Sequence, residues 1–102
     1  MNMNKFELAV KLVAEDIKSD LNGYYKDCGI KTWSEYLEET GCDSADVKDN
    51  VYYVLNRYSN ENNVDLYFND YNELELEDGS ILTYRKLMNR VRKQLKAEGY
   101  FE

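Results

Sequence analysis

Two thiols, twenty carboxylates and no histidine set the chemistry open to this 102-residue chain. Imidazole is the commonest general base and the commonest zinc ligand, so both are missing, and two cysteines cannot build a four-ligand zinc site. Cys28 and Cys42 form neither a CxxC pair nor a disulfide framework. Either thiol would need a Lys or a helix N-terminus to activate it; Cys42 does precede a predicted helix start, but the role of a small buried hydrophobe is expected for both. Asp65, Asn69, Asp70, Asn72 and Glu73 offer oxygen ligands, yet no twelve-residue calcium loop with its central Gly and closing Glu can be laid over them. Carboxylate pairs for glycoside chemistry can be drawn from any of the acids, with no cleft residues to choose among them. No catalytic residue, cofactor or metal site is expected, and the chain reads as a non-enzyme.

What remains is the chemistry of charge. Thirteen Lys and Arg face twenty Asp and Glu, a net charge of −7. The layout is uneven: residues 1–82 hold seven basic and eighteen acidic residues, net −11, whereas residues 83–97 hold six basic residues and no acid, and the last five hold two acids. On a strand, residues two apart share a face at roughly 6.5 Å, so Glu73, Glu75 and Glu77 form a regular row with Asp78 at its end. The ordinary explanation of such a row is that charge stops sheets from pairing edge to edge. The functional one is a phosphate-like ladder presented to a basic groove, with Tyr67 and Tyr71 adding rigid contact area. The basic residues Arg85, Lys86, Arg90, Arg92, Lys93 and Lys96 have an ordinary explanation too, the solvated face of a helix whose last turn complements the macrodipole. Their functional alternative is contact with nucleic acid or another phosphate-bearing partner, against the repulsion of the remaining −11.

These groups must be held by a small fold. At 43% hydrophobic residues, with ten Tyr, three Phe and one Trp, the chain has enough apolar surface for a modest core and a marginal stability. Phe6, Ala9, Val10, Val13, Ile17 and Leu21 recur at helical spacing, and Asn22-Gly23 is expected to end that helix through left-handed backbone angles. Thr32-Trp33-Ser34-Glu35 is a capping box opening a short helix to about Thr40, closed by Gly41. Asp43 or Ser44 can cap a third helix with Val47, Val51, Val54, Leu55 and Tyr58 inward, which the polar run 59–63 stops. The period then becomes two: Val64, Leu66 and Phe68 predict one strand, and Leu74 and Leu76 among the glutamates predict another. Asp78-Gly79 predicts a type I′ hairpin turn with Ile81 and Leu82 on the returning strand. Thr83 caps a last helix with Tyr84, Leu87, Met88, Val91 and Leu95 inward and Gly99 at its end. The expected fold is one α+β domain ordered α-α-α-β-β-β-α: three N-terminal helices, a small antiparallel sheet with an Asp-Gly hairpin, and a basic amphipathic C-terminal helix.

The stretch 37–47 resembles the helix-turn-helix pattern, with apolar residues before and after the turn Gly at the right intervals. With a hairpin following, the order also resembles a winged-helix domain, whose second helix would read the major groove. Here that helix would present Asp43, Asp46 and Asp49 against one Lys48, the wrong sign for phosphates. The size, acidity, tyrosine content and strand row resemble the small inhibitors that phages and mobile elements make against bacterial nucleases, of the anti-CRISPR and anti-restriction type. That resemblance implies a protein partner with a basic nucleic-acid-binding groove, met by Glu73, Glu75, Glu77 and Asp78 together with Asp43, Asp46 and Asp49. The alternatives are a winged-helix-like DNA-binding regulator that uses the basic C-terminal helix as a homodimer, and a self-assembling structural protein of a mobile element. The broken apolar run Phe6 to Val13 fits neither a signal peptide nor a membrane span, so a cytoplasmic protein without a membrane partner is expected.

Overall fold

The computed structural model describes residues 3–40 and 44–102, with only the backbone described at 44–46. Its elements are α1 (Lys5–Asn22), α2 (Trp33–Thr40), α3 (Ser44–Asn62), β1 (Glu73–Glu75), β2 (Ile81–Thr83) and α4 (Tyr84–Ala97). The predicted Gly41 cap, Cys42 and Asp43 lie outside the described residues, as do the side chains of Ser44 and Asp46. Helix α1 packs against both α4 and α3, and β2 leads directly into α4.

The helices form where the apolar period of 3.6 predicts them. Helix α1 opens on Asn4, whose side chain accepts from the Glu7 amide at 2.8 Å, and it buries Ala9, Val10, Val13, Ala14, Ile17 and Leu21. Its end differs from expectation. Gly23 has φ −108°, outside the left-handed region, and a Cβ there would lie 2.9 Å from the Ser19 carbonyl, so glycine is needed for space rather than for its dihedral freedom. Helix α2 starts as predicted with the Glu35 amide donating to Thr32 Oγ1 at 3.1 Å. The return contact is Thr32 Oγ1 donating to the Glu35 carboxylate at 3.1 Å.

Helix α3 buries Val47, Val51 and Leu55, while Val54 and Tyr58 are only half-buried. It ends at Asn62, inside the polar run 59–63 as expected; Ser59 stays within it, buried, with its hydroxyl turned inward to donate to the Leu55 carbonyl at 2.8 Å. The stop comes at Asn63, held at φ +55°, with the Val64 amide donating back to the Ser59 carbonyl at 3.4 Å, a Schellman-type ending.

The predicted strand over Val64, Leu66 and Phe68 is not a strand. Its burial does alternate: Leu66 is fully buried, Val64 and Phe68 half-buried, Asp65 and Tyr67 exposed. Its amides, however, have no ladder partner. The Leu66 amide donates to Ser59 Oγ at 3.1 Å and the Tyr67 amide to Asp65 Oδ1 at 3.2 Å, so side chains satisfy what a neighbouring strand would have. The observed order is α-α-α-β-β-α.

Strands β1 and β2 pair antiparallel in the register Glu73↔Thr83, Leu74↔Leu82, Glu75↔Ile81. A two-residue Asp-Gly turn would place Glu75 opposite Leu82 and send one leucine to each face. The structure instead has a three-residue loop, with the Gly79 amide donating to the Leu76 carbonyl at 3.0 Å and the Leu76 amide to the Ser80 carbonyl at 2.8 Å. Only Gly79 takes positive φ, +85°, so the expected type I′ geometry with Asp78 also left-handed is replaced by a turn ending in a glycine bulge. Joint burial of Leu74 and Leu82 selects this register. A Cβ at Gly79 would meet nothing within 4 Å, so the penalty of Gly79→Ala is purely one of backbone conformation. It is expected to destabilise the chain by about 1 kcal/mol in urea unfolding.

Thr83 Oγ1 accepts from the Lys86 amide at 3.1 Å, opening α4, which buries Leu87, Met88, Val91 and Leu95 as predicted, while Tyr84 is only half-buried. Beyond α4 the chain stays docked. Phe101 is buried against Trp33 at 5.9 Å between centroids, and the Glu102 amide donates to the Lys31 carbonyl at 2.7 Å.

Candidate functional site

The stretch 58–82 carries seven acidic residues and no Lys or Arg. It runs from the last residues of α3 through the loop and the hairpin, and it exposes Asp65, Asp70, Glu75, Glu77 and Asp78. The loop is shaped by asparagines rather than by a ladder. Asn69 Oδ1 accepts from the amides of Tyr71 at 2.9 Å and Glu73 at 3.1 Å. Asn72, at φ +61°, accepts a hydrogen bond from Tyr52 Oη at 2.9 Å. Phe68 stacks on Tyr52 with centroids 5.2 Å apart, and burial pushes the Tyr52 phenol up to about 12, keeping it a neutral donor. This pinning leaves Tyr71 83% exposed and Tyr67 44% exposed, with the Tyr67 hydroxyl donating to Asn60.

The four strand-row acids are not equivalent. Strand alternation places Glu73 and Glu75 on the face opposite Leu74, the former half-buried and the latter exposed. Glu77 lies in the turn, and its Oε2 accepts from the Lys5 amide at 2.8 Å, closing one open donor at the N-terminus of α1 where a carboxylate also meets the positive end of the helix dipole. Asp78 Oδ1 accepts from both the amide and the hydroxyl of Ser80, at 2.9 and 2.5 Å, and these bonds hold its carboxyl below the usual value. Glu77 and Asp78 thus also hold the fold together. Of the further acids, Asp49 is exposed on α3, Asp43 is outside the described residues, and the side chain of Asp46 is not described. The loop acids Asp65 and Asp70, which sequence reasoning weighed only as metal ligands, lie in the same chain segment as the hairpin.

The basic face is partly engaged. Arg90 pairs with Glu7 at 3.1 Å, and the Arg92 guanidinium lies 5.2 Å from the centroid of Trp33. Arg85 and Lys86 are exposed at the start of α4. Arg92, Lys93 and Lys96 line an open groove of about 380 Å3 with Thr32, Ser34 and Glu102.

A second cavity, of about 500 Å3, opens between α1, the 23–31 connection, α2 and α3. Asp16 and Asp20, one turn apart on α1, line it with Tyr24, Tyr25 and Tyr36. No spacing signal links Tyr36 to these acids; the packing of α2 on α1 brings Tyr36 Oη within 3.3 Å of Asp20 Oδ2. Burial first, and then the like charge of Asp20, push the Asp16 carboxyl above its ordinary value of 3.8, against a hydrogen bond from Asn50 that lowers it. The folded chain therefore holds a proton on Asp16 more tightly than the unfolded chain does, and ionising it at neutral pH opposes folding. That opposition fades as pH falls through the folded value towards 3.8. Asp16→Asn is expected to raise the urea midpoint at neutral pH by a margin that vanishes near about pH 3. An equal gain at both pH values would assign the effect to packing instead.

Cys28 is exposed rather than buried, because it lies in a surface connection where its amide donates to the Tyr25 carbonyl at 3.1 Å. Desolvation, then Glu39 and Asp27, raise its thiol pKa, which makes it a poor nucleophile. Among the described residues no three acidic or thiol side chains gather as a metal site, and no helix is long and apolar enough to cross a membrane. Compared with known proteins, the chain matches no family model, no curated protein and no solved structure.

Proposed function

We propose that this is a non-enzymatic, cytoplasmic acidic protein that binds the basic groove of a nucleic-acid-binding protein, a nuclease of a bacterial defence system, and blocks it. The observation that carries this reading is the stretch 58–82, seven acids without a base, whose exposed carboxylates share one chain segment with the exposed rings of Tyr67 and Tyr71. A basic groove concentrates anions by its field, and a protein displaying fixed carboxylates is drawn in by the same field that draws nucleic acid. Carboxylates set the orientation and on-rate of such a complex, while the rigid, amphipathic tyrosines supply contact area. The acidic strand-row residues and the loop acids Asp65 and Asp70 are the contact set.

The test is retention of bacterial lysate on the tagged protein, with and without excess duplex DNA, read by mass spectrometry. A nucleic-acid-binding protein that DNA displaces, with retention weakening as salt rises, is the expected result. The winged-helix-like alternative is favoured by one observation, the open groove flanked by Arg92, Lys93 and Lys96. It requires the purified chain to retard duplex DNA by itself, a result that would replace the first reading.

A further inference from the structure

We propose that the cavity between α1, α2 and α3 is a binding site for an alkylammonium group, a positive head on an aliphatic stem. Three kinds of wall meet there. Tyr24 and Tyr25 stand edge to face, 4.8 Å between centroids at 77°, and Tyr25 and Tyr36 do the same at 6.5 Å and 80°. The exposed Tyr24 ring and the half-buried Tyr25 ring set at right angles to it offer π surface to a cation, whereas Tyr36 is buried against Trp33 at 5.4 Å and Phe101 at 6.3 Å and contributes its hydroxyl. Asp16 and Asp20 supply the negative charge, being one turn apart and so on the same face of α1. Ile17, Val47 and Val51 supply an aliphatic surface for a methylene stem.

The occupant's charge follows from what is missing as well as from what is present. Among the described residues no Lys or Arg lines the cavity. The carboxylates accept instead from neutral donors, Asp16 from Asn50 Nδ2 at 3.1 Å and Asp20 from Tyr36 Oη. An anion would be repelled. A divalent metal ion prefers oxygen ligands on most sides, whereas these walls are largely ring and aliphatic surface. An ammonium on an alkyl stem uses all three: charge pairing for the head, ring faces around it and apolar contact along the chain. Such a group comes either from a free amine or from a lysine side chain of another protein. The volume of about 500 Å3 holds either. The cavity shares no residue with the acidic loop and hairpin, so the proposal stands or falls separately from the inhibitor reading.

The experiment is a titration of the 15N-labelled chain followed by amide shifts, with n-butylammonium chloride as the free amine, acetyl-Gly-Lys-Gly-amide as the lysine source, and sodium chloride and the norleucine peptide as blanks. Saturable shifts at Asp20, Tyr24, Tyr25 and Tyr36 with an ammonium probe, absent from both blanks, are expected. The double variant Asp16→Asn, Asp20→Asn keeps oxygen acceptors for Asn50 and Tyr36 and is expected to lose at least about tenfold in affinity. Tyr24→Ala, at an 86% exposed position that the fold does not need, is expected to lose about threefold. Tighter binding of the lysine peptide assigns the site to a protein partner, and tighter binding of the free amine to a small metabolite. No saturable shift with either probe, or unchanged affinity in a double variant whose spectrum shows it folded, overturns the proposal.

Discussion

Leu66→Ala is expected to destabilise the folded chain by about 3 to 4 kcal/mol, from the transfer of its side chain and the cavity left behind. Against a total near 5 to 15 kcal/mol for an average domain, such a loss leaves a large share of molecules unfolded at physiological temperature. The effect is surprising only if the segment is classed by its hydrogen bonds. Residues 63–72 contain no strand, yet Leu66 is fully buried in the same cluster as Leu55, Leu74 and Leu87. It is held there through one buried polar atom, Ser59 Oγ, which accepts from the Leu66 amide while donating to the Leu55 carbonyl. Ser59→Ala leaves that amide without its partner and is expected to cost about 1 to 3 kcal/mol. The two residues act at one junction, so their effects should not add in a double-mutant cycle. Urea unfolding followed by circular dichroism measures all three. A Leu66→Ala loss below about 1 kcal/mol would mean that the loop is not docked on the core and that its acids are not held in place.

The second large effect concerns binding. A double variant, Asp70→Lys and Glu75→Lys, changes the charge of the acidic stretch by four units, both at exposed positions, and leaves Asp65, whose Oδ1 accepts from the Tyr67 amide, in place. It is expected to lower affinity for the basic partner by on the order of a hundredfold, mainly by slowing association, while the melting temperature changes little. Glu77 is deliberately spared. Reversing it would place a cation against the Lys5 amide at the positive end of α1, so lost binding would be confounded with lost stability. Asp78 is spared for the same reason, since its carboxylate closes the hairpin through Ser80. Retention of the partner by a folded double-lysine variant would reject the acidic surface as the contact, whatever protein is retained.

Two of the row's four acids thus have a fold-stabilising role that spacing does not reveal. A period of two places Glu73, Glu75 and Glu77 on one line, but it cannot show that the line ends against the start of a helix more than seventy residues earlier in the chain. The same holds on the basic side, where Arg90 reaches Glu7 and Arg92 covers Trp33. Residues that look alike in sequence differ in function according to what packs against them.

The sequence by itself determined the four helices, most of their inward faces and the caps at Thr32 and Thr83, because these depend on residues three or four apart and on the hydrogen bonds of a single turn. Thr32, Thr83 and the apolar stripes of α1 and α4 act as their types and spacing require. It also determined the hairpin's existence and the charge division between its acidic body and basic final helix. Only the tertiary structure decided the hairpin's register, which depends on burying Leu74 and Leu82 together rather than on the turn dipeptide. It alone decided that Val64 to Phe68 pairs with no strand, since alternation reports a buried face and not a neighbour. And it alone gathered Asp16, Asp20, Tyr24, Tyr25 and Tyr36 around one cavity, because that depends on how α2 docks on α1, and no local period encodes the packing of one helix against another.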